Sequence, residues 1–429
     1  MLSSATGGSK KLARYVGRLA QVVAVAVPLL ATLDRFRRPF GEKFMFPNLG
    51  GSADLWLPYL GARALLAHLD PYGPLPQHLQ EPTGWPPTYP PTMLALYVPF
   101  AWATGEDIEL ACQIFYWLNI AALGALSYFV WRLTLRLTAP RGAPGSTFLV
   151  AVIALSLNGL TMFAVDRGQS EIVSSALCWG ALVLFLQKRH GWAMAAVTLA
   201  GAIKGYAVPV GVGLLLATRG RKQVLRGLAA ATAVGLAVTV PVAKYLKQGF
   251  ASMLTRTDYA YGAEWFNHSF KSTIHTVLNA ELADAGRTWM LCLTALVFLG
   301  SLWRLFVATR RGTEQELALR LIAFAGAGLT FMVGLPAYSA SYNYLLVLPA
   351  LLLVSTQFGD LDEILKLHPA VAVPLGLVLV VALGLALRER WIGHPIPLAG
   401  IALVLFVGIL GVVAIAPGRG SSAAPPRQT

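Results

Sequence analysis

Long apolar runs joined by short polar links fill most of the chain. A helix that crosses a bilayer needs about 20 apolar residues, with a range of roughly 17 to 25. Runs of this kind begin near residues 13, 108, 147, 172, 227, 288, 318, 342, 369 and 395. Two regions break the pattern. "YPPTMLALYVPFAWAT", residues 89 to 104, is apolar but short and carries Pro90, Pro91 and Pro99. The run from Trp192 to Ala217 is interrupted by "KGYAVP", which sets Lys204 and Pro209 in its middle. The pattern predicts an all-α polytopic membrane protein.

Parity separates two topologies. If 89–104 and 192–217 each cross once, Arg132, Arg136, Arg141, Lys188 and Arg189 face outside. If 89–104 only dips into the outer leaflet and 192–217 is a broken helix pair, those five face the cytoplasm. Lys and Arg concentrate in cytoplasmic loops, so the second arrangement is expected. It implies about twelve crossings with both termini inside. Residues 1–12 are then a cytoplasmic N-terminus, 13–416 a single transmembrane domain, and 417–429 a disordered cytoplasmic tail. Loops 34–88 and 248–287 lie outside, the first long enough to carry interfacial helices. Arg35, Arg37, Arg38 and Lys43 run against the rule, but long translocated loops obey it poorly.

Composition agrees. The 429 residues are 56% hydrophobic and 13% charged, against about 25% charged in soluble domains. A net charge of +14 raises the question of nucleic acid. The basic residues form short clusters between apolar segments instead of an aromatic-laced patch, so membrane lipids are the expected partner and nucleic acid is not. Cys112, Cys178 and Cys292 stand in apolar runs without metal-ligand spacing and read as small hydrophobes.

The links on the expected outer face hold the chemistry. Asp54, in "GGSADLWLPYLGARALLAHLDPYG", opens a helical stretch over residues 53–69 with Leu55, Leu65, Leu66 and Leu69 as its apolar stripe. It suits either a helix cap or a general base that takes a proton from an attacking hydroxyl. Asp70, before Pro71, reads as turn chemistry. "FAVDRGQSEIVSS" crowds Asp166, Arg167, Gln169 and Glu171 into one short link. A guanidinium fork such as that of Arg167 binds phosphate oxygens in pairs, and Gln169 and Glu171 suit sugar hydroxyls. Lys204 is the sharpest single signal, because an ionisable group facing lipid costs at least about 2.5 kcal/mol. Either it snorkels outward or it lines a cavity where broken backbone is tolerated. "YGAEWFNHSFKS" offers Asn267 and His268 among aromatics, as a carbohydrate site or an interfacial belt would. "YSASYNY" supplies Tyr342 and Asn343 as candidate site walls.

Five elements in order, Asp54 with Tyr59 and Asp70-Pro71-Tyr72, Tyr89-Pro90-Pro91, the Asp166–Glu171 turn, Lys204 with Tyr206 and Pro209, and Asn267-His268-Ser269, resemble the GT-C superfamily of glycosyltransferases. Within it the chain looks most like glycosyltransferase family 87, a bacterial mannosyltransferase-like group. Two departures stand out: Gln169-Ser170-Glu171 replaces the family's usual turn, and the late segment has no His.

The resemblance implies a GT-C-like bundle in a bacterial inner membrane, with its active site on the periplasmic face. It implies inverting transfer of a sugar, mannose or a similar pentose or hexose, from a polyprenyl-phosphate donor to a glycolipid or glycan acceptor. Asp54 would be the base, and Lys204 and Arg167 would hold the donor phosphate. Tyr89, Gln169, Glu171, Tyr206, Asn267, His268, Tyr342 and Asn343 would bind substrate. No cofactor or metal is expected. The reading from another class is a polytopic transporter or lipid flippase, which would string polar residues across the bilayer and show an inverted repeat. Here the polar residues gather at one end.

Overall fold

The structure, a computed structural model, describes residues 53–79, 89–138, 168–255, 280–334 and 341–355, with positions 155, 161, 164 and 165 between them. The apolar runs near 13, 369 and 395 and the tail lie outside the described residues. What is described is helical throughout. In chain order the helices are α1 (Ala53–Leu66), α2 (Pro91–Thr104), α3 (Ile108–Thr138), α4 (Glu171–Leu186), α5 (His190–Lys204) and α6 (Val208–Ala217). They continue with α7 (Arg221–Thr239), α8 (Leu246–Thr255), α9 (Ala280–Arg311), α10 (Glu314–Gly334) and α11 (Leu348–Ser355). A 3₁₀ turn over Val240–Tyr245 joins α7 to α8, and another over Ser341–Leu346 leads into α11.

Among the described residues four stretches are long and apolar enough to cross a bilayer: Ile108–Leu137, Arg221–Ala251, Leu291–Arg311 and Glu314–Gly334. Their surroundings differ. α10 is buried along most of its length, through the small residues of "AFAGAGL" that let neighbours approach closely. α7 buries only Gly227 and Val238 and turns Leu225, Leu228 and Leu236 outward, as a helix against lipid does. Trp102, Trp192 and Trp289 are all exposed, which is how aromatic belts at membrane interfaces are built.

At 1.5 Å per residue the 14 residues of α2 span about 21 Å, short of a hydrocarbon core of about 30 Å. α2 packs instead on α1. The Tyr59 hydroxyl donates to the Gly105 carbonyl at 2.8 Å and lies 2.9 Å from Thr104 Oγ1. Leu55, Leu57, Tyr59 and Leu60 close a small core with Met93, Leu94 and Tyr97, and Ile203 of α5 joins it. Leu66, part of the expected apolar stripe, faces outward, while Leu55 is buried. α1 is apolar nearly all round, so its periodicity alone does not choose a face; contact with α2 does.

The helix pair expected at "KGYAVP" is present. Gly205 takes a left-handed φ of 73° and donates its N–H to Gly201 O, ending α5 at Lys204. Pro209, in the first turn of α6, starts the next helix where its missing N–H costs nothing. The chain reverses in between, since Gly211 lies against the Val197 side chain. The ends of α3, α4, α6 and α9 therefore meet at one end of the bundle. There Lys188 pairs with Glu314 at 2.9 Å, Arg136 lies 4.0 Å from the same carboxylate, and Gln315 donates to the Leu137 carbonyl. Arg219 donates to Ala308 O at 3.3 Å. Arg132, Arg136, Lys188 and Arg189 thus share one end with the α6–α7 and α9–α10 links.

Candidate functional site

The opposite end is built differently. α4 begins at Glu171 and α5, packed along it, ends at Lys204, so the two termini of the pair meet. The Lys204 ammonium forms an ion pair with the Glu171 carboxylate. The lysine side chain is 15% exposed and the glutamate fully buried. Lys204 therefore points into the protein, with its Nζ 5.2 Å from the centre of the Tyr89 ring. An aromatic face within about 6 Å attracts a cation, and more so where water is thin.

Two hydrogen bonds fix Tyr89 and its neighbours. Tyr72 donates its hydroxyl to the Tyr89 carbonyl at 2.8 Å, and Thr92 donates to Ala202 O at 2.7 Å. The second bond pins the start of α2 to the last turn of α5, two residues before Lys204. Burial, and then the Asp70 carboxylate, push the Tyr72 phenol above its ordinary range, so it remains a donor. Asp70 itself accepts from the Tyr72 N–H at 2.9 Å, the turn chemistry its place before Pro71 implies.

The turn before α4 brings α1 to the site. Gly168 has φ 65°, and a Cβ there would sit 3.0 Å from the Leu55 Cβ. Only a glycine serves both the left-handed backbone and the close approach. Leu55 follows Asp54, so α1's described N-terminal end abuts the link that leads into Glu171. From the far side, the Ser341–Leu346 turn docks on α4: Ser175 donates to Leu345 O at 2.9 Å and Trp179 Nε1 to Leu346 O at 3.0 Å. Asn343 is buried in that turn, and Tyr206 is half-buried just past Lys204.

The expected site residues thus fall into three sets. Tyr89, Glu171 and Lys204 touch; Gln169 is buried two residues from Glu171, and Tyr206 and Asn343 belong to segments at the same end. For Asp54 and Tyr342 the helix and turn are described but the side chains are not. Arg167, Asn267 and His268 lie outside the described residues. Among the described residues no three His, Cys, Asp or Glu side chains come together as metal ligands would.

Beside the expected Gln169, the geometry adds two groups that the sequence does not single out, Ser170 and Tyr97. The Gln169 amide nitrogen, the Ser170 hydroxyl and the Tyr97 hydroxyl are buried with no hydrogen-bond partner among the described residues. Tyr97 is within electrostatic reach of the Glu171 carboxylate. Buried polar groups are rarely left unpaired, and those that are often serve a ligand or water. Tyr97 sits inside an apolar stretch, and Ser170 lies within the polar link between Gln169 and Glu171. Their only sequence signal is proximity to Glu171 in one case and to the three prolines in the other.

Fold and site together define a multi-pass helical membrane protein with a buried, charged centre beneath one end of its bundle. The sequence profile of glycosyltransferase family 87 matches residues 88–336, more than half of the chain, and the protein belongs to that family of GT-C glycosyltransferases. No curated protein matches the chain. Among solved structures it is similar to ArnT from Cupriavidus metallidurans in the apo state, with 15% identity and a TM-score of 0.40. That likeness covers 96% of this chain and 78% of the other.

Proposed function

We propose that this glycosyltransferase moves a sugar, mannose or a similar pentose or hexose, from a polyprenyl-phosphate donor to a glycolipid or glycan acceptor, with inversion. The reaction runs at the outer, periplasmic face of a bacterial inner membrane. The Lys and Arg residues gathered at the other end support that orientation.

In this reading the Asp54 carboxylate takes the proton of the acceptor hydroxyl. The oxygen then attacks the anomeric carbon, and the bond from that carbon to the phosphate oxygen breaks. Polyprenyl phosphate leaves with the electron pair. Lys204, oriented by Glu171 and Tyr89, stabilises the charge that grows on the phosphate, together with Arg167. Gln169, Glu171, Tyr206, Asn267, His268, Tyr342 and Asn343 line the sugar and acceptor sites. The unpartnered donors of Gln169, Ser170 and Tyr97 suit the hydroxyls and phosphate oxygens of such a donor.

A single observation carries the reading. A buried Lys–Glu pair lies under an aromatic ring at the end where the Gly168 turn meets the start of α1. The test is transfer from polyprenyl-phosphate mannose by the full chain in proteoliposomes. Asp54→Asn is expected to lower turnover by at least about 100-fold, the ordinary worth of a general base, with the thermal unfolding midpoint unchanged. Turnover equal to the parent's removes Asp54 as the base.

A further inference from the structure

A hollow lies at the end away from this site. It has a volume of about 530 Å³ between α3, α4, α6 and the α9–α10 link. Arg136, Lys188 and Arg219 line it against a single carboxylate, Glu314. A second hollow of about 390 Å³ shares Lys188 and His190 with it and adds Arg189 and Arg226. Basic loops at this end are expected of any membrane protein, so charge alone marks nothing.

Two further features do. His190 opens the 15-residue helix α5 and lines both hollows. It is nine-tenths buried, yet neither ring nitrogen has a hydrogen-bond partner among the described residues. Its ring edge packs on Phe185, 4.8 Å between centroids, which holds the imidazole in place without satisfying its polar atoms. Lys188 is the second feature. Its N–H bonds to Phe185 O and that of Arg189 to Leu184 O, closing α4 with a left-handed residue at φ 64°. Glycine is the residue that adopts this conformation freely. A lysine held there at a conformational cost aims its ammonium at the hollow's rim, where Glu314 meets it.

We propose that this basic hollow binds a phosphate-bearing anion, with Arg136, Lys188 and Arg219 pairing its charge and the His190 imidazole donating to one of its oxygens. Exposed Trp192 borders the second hollow, as a side chain of an interfacial aromatic belt does, so an acidic phospholipid of that leaflet has direct access. A soluble phosphate ester would present the same group.

The test uses the purified full chain and native mass spectrometry with phosphatidylglycerol and phosphatidylcholine of identical acyl chains. Calorimetry with sn-glycerol 3-phosphate forms the soluble arm. Phosphatidylglycerol is expected to be retained over phosphatidylcholine. Lys188→Asn, which tolerates the left-handed backbone, should weaken retention about fivefold, the worth of one cation near a headgroup. His190→Ala should weaken it as well. Arg221→Gln removes one charge from the same end outside both hollows and should leave retention near the parent's. Glycerol phosphate binding with the same variant pattern would assign the site to a soluble ester and keep its chemistry. The proposal fails if no anionic ligand is preferred. It fails too if Arg221→Gln loses as much as Lys188→Asn, for the attraction is then the general field of the basic face.

Discussion

The two ends of the α4–α5 pair each carry a lysine–glutamate contact, and the contacts are opposites. At the basic end Lys188 and Glu314 meet at 2.9 Å with side chains 66% and 72% exposed. At the other end Lys204 meets Glu171 with side chains 15% and 0% exposed. Exposed pairs contribute about 0–1 kcal/mol, because water already solvates both partners. A buried pair has given up that solvation, and its attraction at best recovers it. The first contact ties loops together. The second is a poor way to hold helices and a good way to keep a charged group fixed where water is scarce, which is what a phosphate site needs.

The sharpest break in this comparison comes from removing one partner. Glu171→Ala strands an ammonium in the interior and should destabilise the protein by about 3–5 kcal/mol, read as a lowered unfolding midpoint in detergent. Replacing both partners, Lys204→Met with Glu171→Leu, should recover most of that stability while transfer stays abolished. Recovery of transfer would show that the pair is structural only. Gly168→Ala comes next. Forcing a Cβ into the left-handed region costs about 1–2 kcal/mol, and the new methyl presses on Leu55, so turnover should fall with stability. Tyr72→Phe removes the bond to the Tyr89 carbonyl, with an expected loss of about 1 kcal/mol and a raised KM for donor as the ring over Lys204 loosens. Smallest is Glu314→Ala at the basic end. It should cost under about 1 kcal/mol and less still in high salt; a loss as large as that of Glu171→Ala would erase the contrast.

Much of the architecture is legible in the residues. Apolar run lengths mark α3, α7, α9 and α10, and the Lys-Gly…Pro break marks the α5–α6 reversal, since glycine stops one helix and proline starts the next. The count of Lys and Arg by itself selects that reversal, because a single crossing would spread the basic loops over both faces. Lys204 stands out because a cation inside an apolar run is costly anywhere but a cavity. Its partner does not stand out. Glu171 is 33 residues away and looks like a polar turn residue that suits sugar hydroxyls; only the packing of α4 on α5 turns it into the counter-ion. Tyr97 and Ser170 do not stand out either, since what surrounds their hydroxyls is set by packing.

Composition, run length and the placement of charge along the chain determined that this protein lives in a membrane, where its helices break and which links carry polar chemistry. Those follow from the transfer of each segment between water and lipid, a property the segment has by itself. The tertiary structure decided which polar groups meet: Lys204 with Glu171 under Tyr89, Gly168 against Leu55, and His190, unpartnered among the described residues, inside a basic hollow. Inside lipid every apolar helix is equally welcome beside every other, so close packing of particular side chains, and not hydrophobicity, selects the neighbours.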